Sequence, residues 1–293
     1  MRGGNCGEDF RARRLKWPRP KLLLGLLLLG LVVLLALLGP LLSPYSPREQ
    51  VLARSNLPPN SGHYLGTDAL GRDLFTRLLW GARVSLGIAL VVVIINIAIG
   101  LPYGAISGWY GGWVDIYMMG LVDILYGIPS LLYIIFLLLV LGPGLKGIFI
   151  TLGLAYWLDL ARQVRNQVLS LKEAEFVLAA RALGLSPGHI FWRELLPNMA
   201  GPLMVTLTFH IPQAIFLEAF LSYLGLGVTA PTASLGVLLA EGVANMRSAP
   251  WQLIFPAVLI SLIMLGFNLL GEGLGEDESK SPSPGSFYFD HPV

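Results

Sequence analysis

His210, Gln213 and Glu218 stand close together in a stretch from about Met199 to Tyr223 that is otherwise almost wholly apolar. An imidazole, an amide and a carboxyl in an apolar helix could carry protons or touch a passing solute. For His210 the plainer reading is a hydrogen-bonded interior residue. A charge near a bilayer centre costs about 2.5–3.5 kcal/mol on insertion scales, so Glu218 is expected to face other helices, water or the outer interface. Asp159 and Arg162 lie three apart in another apolar run, and the spacing predicts a neutralising ion pair. Other chemistries are excluded by pattern. There is no HExxH, no GxSxG and no GxxxxGK[ST] phosphate loop, and His63, His189, His210 and His291 are scattered. The single Cys6 cannot form an internal disulfide or a cysteine metal cage. Gly142-Pro143-Gly144-Leu145-Lys146-Gly147 fits GxGxxG by letter only, because it follows an apolar span and not a strand. It reads as a turn.

The main polar interruption is Glu175-Phe176-Val177-Leu178-Ala179-Ala180-Arg181-Ala182-Leu183-Gly184-Leu185-Ser186-Pro187. Phe176, Ala179, Ala180 and Leu183 recur at helical spacing, which predicts one apolar face. Gly184 suits the left-handed turn that ends a helix, Ser186 an N-cap, and Pro187 the first position of a second helix ending before Pro197. The result is a compact helical elbow, a shape suited to docking.

The elements that hold these residues are membrane spans. Of 293 residues 55% are hydrophobic and 13% charged, and mean hydropathy is +0.68, which leaves too little charge to cover a soluble domain. The expected fold is all-α: a polytopic membrane protein of six transmembrane helices with a cytoplasmic loop between spans four and five. Residues 1–21 form a basic N-terminus, which the positive-inside rule puts in the cytoplasm. Residues 22–42 form the first span. Residues 43–82 are an extracytoplasmic connection carrying an amphipathic helix, with Leu70, Leu74, Phe75, Leu78 and Leu79 on one face and an Asp73/Arg77 pair on the other. Residues 83–274 hold five more helices, including the cytoplasmic loop 169–198, and 275–293 a disordered cytoplasmic tail. Gly100, Gly104 and Gly108, four apart, predict close helix packing. A third span runs on past Asp115 and Asp123 to Leu141. Residues 224–250 read as an external re-entrant or surface segment. The loop's cations Arg162, Arg165, Lys172, Arg181 and Arg193 agree with the cytoplasmic side. Glu173, Glu175 and Glu194 balance them, and net charge is only +2, so nucleic acid is not an expected partner.

Three blocks of sequence resemble one family. They are His63-Tyr64-Leu65-Gly66-Thr67-Asp68-Ala69-Leu70-Gly71-Arg72-Asp73 with Trp80–Leu86; Ala179-Ala180-Arg181-Ala182-Leu183-Gly184 followed by Leu195-Leu196-Pro197-Asn198; and Glu218-Ala219-Phe220-Leu221-Ser222-Tyr223-Leu224-Gly225-Leu226-Gly227. Over about residues 20–275 the chain resembles the inner-membrane permease subunits of binding-protein-dependent ABC importers, specifically the second subunit of the oligopeptide, dipeptide and nickel group. The second block is that family's "EAA" loop.

The resemblance implies a non-catalytic transport subunit of a bacterial or archaeal cytoplasmic membrane, multi-pass, with both termini cytoplasmic. It implies a second permease subunit in a heterodimer, two ATP-binding subunits, an extracytoplasmic solute-binding protein and membrane lipid as partners. No cofactor is expected on this chain; ATP and Mg belong to the partner ATPases. Glu175, Ala179, Ala180, Arg181, Gly184, Leu185 and Ser186 are the implied ATPase-coupling residues. His210, Gln213 and Glu218 are candidates for the translocation path, and no metal site is expected. Peptides are the implied cargo, with nickel chelates, glutathione or other small solutes as alternatives, and a proton-coupled secondary transporter as a rival class that lacks its expected inverted repeat. Four positions depart from the family pattern: Leu178 replaces the motif glutamate, Gly120 replaces an Arg and so leaves Asp123 without that nearby cation, Leu235 replaces a Trp, and Gly275 a basic residue.

Overall fold

A computed structural model describes residues 20–229 and 231–278, apart from the side chains of Pro40, Leu42, Asp277 and Glu278. The basic cluster ahead of Pro20 and the tail beyond Glu278 lie outside the described residues. The elements are helices: α1 (Pro20–Leu42), α2 (Leu74–Tyr110), α3 (Gly112–Tyr126), α4 (Ser130–Leu141), α5 (Leu145–Leu171), α6 (Glu175–Ala182), α7 (Pro187–Ile190), α8 (Leu196–Tyr223), α9 (Leu235–Asn245) and α10 (Trp251–Glu278). A π-helical turn, Phe191–Leu195, joins α7 to α8 without a break. The expected stop before Pro197 is therefore absent, and α10 keeps residues 275–278 helical where a tail was expected.

Four segments are long and apolar enough to cross a membrane: Pro20–Gly39, Leu74–Tyr110, Pro187–Tyr223 and Trp251–Glu276. A fifth exists if α3 and α4, bent by 87° across Gly127–Pro129, count as one. The expected straight third span is thus broken. Pro129 opens the second half, and it cannot donate the backbone hydrogen bond that would continue the first. The α5 helix is long but carries Lys146, Asp159, Arg162 and Arg165 along its length.

Glycine contacts give the helix directions. A Cβ at Gly100 would sit 2.8 Å from Trp157 O, at Gly104 2.2 Å from Ala161 O, and at Gly108 2.9 Å from Arg165 O. Each step of four on α2 matches a step of four on α5, so the two helices run parallel with backbones in contact. The chain must then return between them, and α3 with α4 makes that return. The glycine stripe serves helix packing, as its spacing predicts. By the same logic α1 is antiparallel to α10, with Gly25 against Gly266 and Leu270 and Gly273 against Leu22, and α8 is antiparallel to α10. Lys21 lies 2.9 Å from Glu272 and 3.0 Å from Glu276, so α1 begins beside the end of α10.

The expected amphipathic helix does not exist as a separate element. Asp73 caps α2 by accepting from Thr76 N at 2.8 Å, and α2 runs unbroken to Tyr110. Arg72, Asp73 and Arg77 are buried, not solvated. Arg77 pairs with Asp68 at 2.5 Å and with Glu241 of α9, and Arg72 with the same two acids at 2.6 and 3.1 Å. Asp73 instead receives His63 at 2.9 Å. Gln252 at the start of α10 donates to Asn56 Oδ1 and Thr67 O, both at 2.8 Å. The first motif block is thus a polar clasp joining the 43–73 connection to α2, α9 and α10.

Candidate coupling elbow and polar residues of the long helices

The elbow forms as its residues dictate. Gly184 takes φ +76°, and Leu185 N donates to Ala180 O at 3.2 Å, closing α6 with a six-residue loop-back. Ser186 is extended, and its hydroxyl accepts from His189 N at 3.4 Å to cap α7 at Pro187. Ten residues after Pro187, Pro197 has no N–H, which disturbs the ladder in the π turn. The carbonyl of Glu194 is taken up by Asn198 Nδ2 at 2.6 Å.

The buried face is rotated from the expected one. Val177 and Ala180 are buried, Phe176 is half-buried, and Ala179 and Leu183 are exposed. Leu183 lies past the last α6 residue, at the C-cap, where helical spacing no longer applies. Val177, Ala180, Ile190, Leu195 and Met199 form one cluster with Ala105 of α2 and Leu160, Val164 and Val168 of α5. The Arg181 guanidinium lies 4.3 Å from the Trp109 ring centroid, and Lys172 Nζ donates to Gly108 O at 3.2 Å. The elbow is therefore packed onto the ends of α2 and α5 and continuous with α8. Its outer side shows Glu175, Ala179, Arg181, Gly184, Leu185 and Ser186, with Leu178 49% and Leu183 80% exposed. Of the candidate coupling residues only Ala180 is inside. A short helical knob with apolar tips, joined to three long helices, can take force at its tip and pass it to all three.

The family described as "Binding-protein-dependent transport system inner membrane component" matches residues 100–276, and "N-terminal TM domain of oligopeptide transport permease C" matches 20–59. The chain belongs to the binding-protein-dependent inner membrane components. This permease subunit is 46% identical over 251 residues to the dipeptide transport system permease protein DppC of Bacillus subtilis (strain 168), covering 85% of this chain and 78% of that one. It is 43% identical over 252 residues to the oligopeptide transport system permease protein OppC of the same organism, covering 86% and 83%. In the inward-facing MetNI methionine ABC transporter, one chain shares the fold at a TM-score of 0.55 and 20% identity, over 68% of this permease and 96% of that chain.

The structure does not gather His210, Gln213 and Glu218 of the permease into one site. Gln213 is exposed. His210 is buried as expected, with its ring centroid 5.7 Å from that of Tyr156 on α5, but the expected hydrogen bond is missing at Nδ1, which has no partner among the described residues. Glu218 is wholly buried and accepts four hydrogen bonds: Ser222 Oγ at 2.9 Å, Ser234 Oγ at 2.6 Å, Ser85 Oγ at 3.1 Å and the Gly236 backbone N–H. It ties α2, α8 and the start of α9 together. The expected Asp159–Arg162 ion pair is also absent. Arg162 instead donates to Asp123 and lies 4.0 Å from the Tyr126 ring centroid. Asp123 therefore has its cation despite Gly120, supplied from α5. Arg165 holds Asp115 through Nε at 2.6 Å and Nη2 at 2.5 Å. These cross-helix pairs were hidden in the sequence, because partners some forty to fifty positions apart leave no periodic signal.

Proposed function

We propose that this subunit forms half of the transmembrane pathway of an ATP-driven importer of oligo- or dipeptides. The observation that carries the cargo is the 43–46% identity, along more than four-fifths of the chain, to relatives named for dipeptide and oligopeptide transport. A second permease subunit completes the pore, and an extracytoplasmic solute-binding protein delivers the peptide. Two cytoplasmic ATPases, which hold ATP and Mg, receive the elbow. The chain itself supplies no catalytic group.

Six crossings suit this role. They are α1, α2, the broken α3–α4 pair, α5, α8 with its π turn, and α10. The parallel contact of α2 and α5 and the pairing of Lys21 with Glu272 and Glu276 support an even count with both chain ends on one side. The cytoplasm is that side, because the cations of the 169–198 loop lie there. Gln213 is the residue of α8 offered to the path, while Glu218 and His210 act from inside the subunit. When ATP draws the ATPases together, their clefts carry Leu178, Leu183 and Leu185 with them. The packed elbow then moves the inner ends of α2, α5 and α8 as one body. Cargo and ATP must bind the two pore states unequally for the shift to occur.

Reconstitution with the three kinds of partner tests this reading. ATP-dependent peptide uptake is expected, and Gly184→Pro should uncouple hydrolysis from uptake, since proline cannot adopt φ +76°. Arg181→Glu should do so by inverting the charge over Trp109. Coupled uptake at wild-type rates in both variants refutes the elbow assignment. Uptake that needs a proton gradient and no ATPase refutes the transporter class.

A further inference from the structure

The α3–α4 break opens a cavity of about 260 Å³ against α5 and α8, lined by Tyr126, Ser130, Tyr133, Tyr156, Asp159 and Leu217 among others. Asp159 lies 14 residues along α5 from Leu145, about 21 Å down its axis, which falls inside a bilayer core of about 30 Å in the six-crossing arrangement proposed above. The charges around it do not balance. Arg165 is committed to Asp115 and Arg162 to Asp123. Asp159 feels Arg162 through space, but among the described residues it has no hydrogen bond or ion pair of its own. Two carboxylates, Asp123 and Asp159, thus share one guanidinium, and one negative charge is left over. Asp159 is exposed at the cavity and not sealed inside the helix bundle, so its carboxylate is open to an incoming group, and an ionisable residue within a span marks a candidate solute site.

The walls suit a cation. Tyr126 already holds one, the Arg162 guanidinium at 4.0 Å from its ring centroid. Tyr133 is fixed by its hydroxyl, which donates to Leu154 O at 3.0 Å, and Tyr156 is braced against His210. Rings held in this way offer electron-rich faces to an ammonium at little entropic cost. No group of three or more His, Cys, Asp or Glu among the described residues could hold a metal ion, so a lone carboxylate with aromatic walls favours an organic cation. The volume admits an ammonium with its first residue and exceeds the roughly 30 Å³ share of a single water.

We propose that this cavity is a transient station for the primary ammonium group of a translocating peptide, bound by the Asp159 carboxylate beside Tyr133 and Tyr156. The inference rests on the peptide cargo of the preceding reading. The ammonium end of the zwitterionic peptide pairs with the Asp159 carboxylate while it is bound, and its release toward the cytoplasm leaves that carboxylate free for the next.

The test uses the complete membrane transporter without its solute-binding protein, titrated calorimetrically with trialanine and with N-acetyl-trialanine. Wild type should bind trialanine about tenfold more tightly, as expected for one charge-assisted contact. Asp159→Asn should reduce trialanine to the acetylated level, and Asp159→Glu should keep most of the preference. Tyr133→Leu and Tyr156→Leu, which leave the carboxylate in place, should weaken trialanine selectively and serve if Asp159→Asn does not assemble. An unchanged preference in Asp159→Asn, or none in wild type, overturns the station. ATP-driven uptake of radiolabelled trialanine, measured separately with the binding protein present, tests the cargo. No uptake by wild type removes both readings, whereas uptake without an Asp159-dependent preference removes only this one.

Discussion

Replacing Glu218 by Ala separates two roles that the sequence leaves open, pathway group and internal brace. The side chain accepts from Ser222, Ser234, Ser85 and the Gly236 N–H, all in a region shut off from solvent. Ser222 can turn back to a carbonyl one helical turn below, so its loss costs little. The Ser85 and Ser234 hydroxyls remain useful as acceptors, from Leu235 N at 3.1 Å and Val237 N at 3.1 Å, but their protons lose their target. The Gly236 N–H loses its target as well. At about 1–3 kcal/mol for each stranded donor, partly relieved by relaxation, Glu218→Ala should cost about 3–5 kcal/mol. That corresponds to a fall on the order of 10 °C in melting temperature. Glu218→Gln keeps an acceptor oxygen and the shape, so it should cost about 1 kcal/mol and leave uptake near wild type. The assay is thermal melting of the assembled transporter in detergent, paired with peptide uptake in proteoliposomes. A Glu218→Gln variant that melts normally yet transports nothing would refute the brace and restore a pathway or proton-carrying role. Unchanged melting in Glu218→Ala would refute it as well.

Gly104→Val places a side chain where backbone already lies, 2.2 Å from Ala161 O, and neither helix can yield locally. A loss of about 3 kcal/mol or more is expected, seen as poor recovery of assembled subunit, while Gly120→Ala, with open space around it, should be silent. Arg77→Met leaves Asp68 and Glu241 sharing only Arg72 and should destabilise by about 2–4 kcal/mol, below the fully buried range because Glu241 is 34% exposed. Adding Glu241→Gln rebalances the charge and should recover part of that loss in the same melting assay; no recovery would contradict the four-charge cluster. Leu183→Glu with Leu185→Glu should abolish co-purification of the ATPases while the subunit still enters the membrane, since Leu183 is 80% exposed and Leu185 is also on the elbow's outer side.

The elbow was largely legible because its determinants are local. Gly184, Ser186 and Pro187 each act within one helical turn, and each does in the structure what its chemistry predicts. The same holds for the glycine stripe, where a four-residue period is itself the packing device. Long-range pairing was not legible. The expectation of a solvated polar face on an amphipathic helix assumes that charges seek water. Arg72 and Arg77 instead meet Asp68 nearby and Glu241 on a helix more than 160 positions later. Nothing in the periodicity of residues 68–80 distinguishes a wet face from a neutralised one. The difference at Asp159 has the same origin: spacing favours the acid three residues from Arg162, whereas the fold brings Arg162 to a carboxylate thirty-nine positions earlier.

The elbow's outer surface bears on how motion is transmitted without the motif glutamate. Leu178 occupies that position and is half-exposed, beside the far more exposed Leu183. A carboxylate there would depend on one charge pair, which is directional but weakened by water. Two or three apolar side chains set in a cleft lose their water together, at about 25 cal/mol per Å² buried. Such a contact resists both push and pull only while the knob keeps its shape. That shape rests on Gly184, on the Ser186 cap and on the cluster of Val177 and Ala180 against α2 and α5. Coupling by fit therefore shifts the demand from one charged residue to the rigidity of the whole elbow. Leu178→Glu should accordingly leave coupling intact, whereas Ala180→Leu, which pushes α6 off its seat without touching the outer face, should impair it.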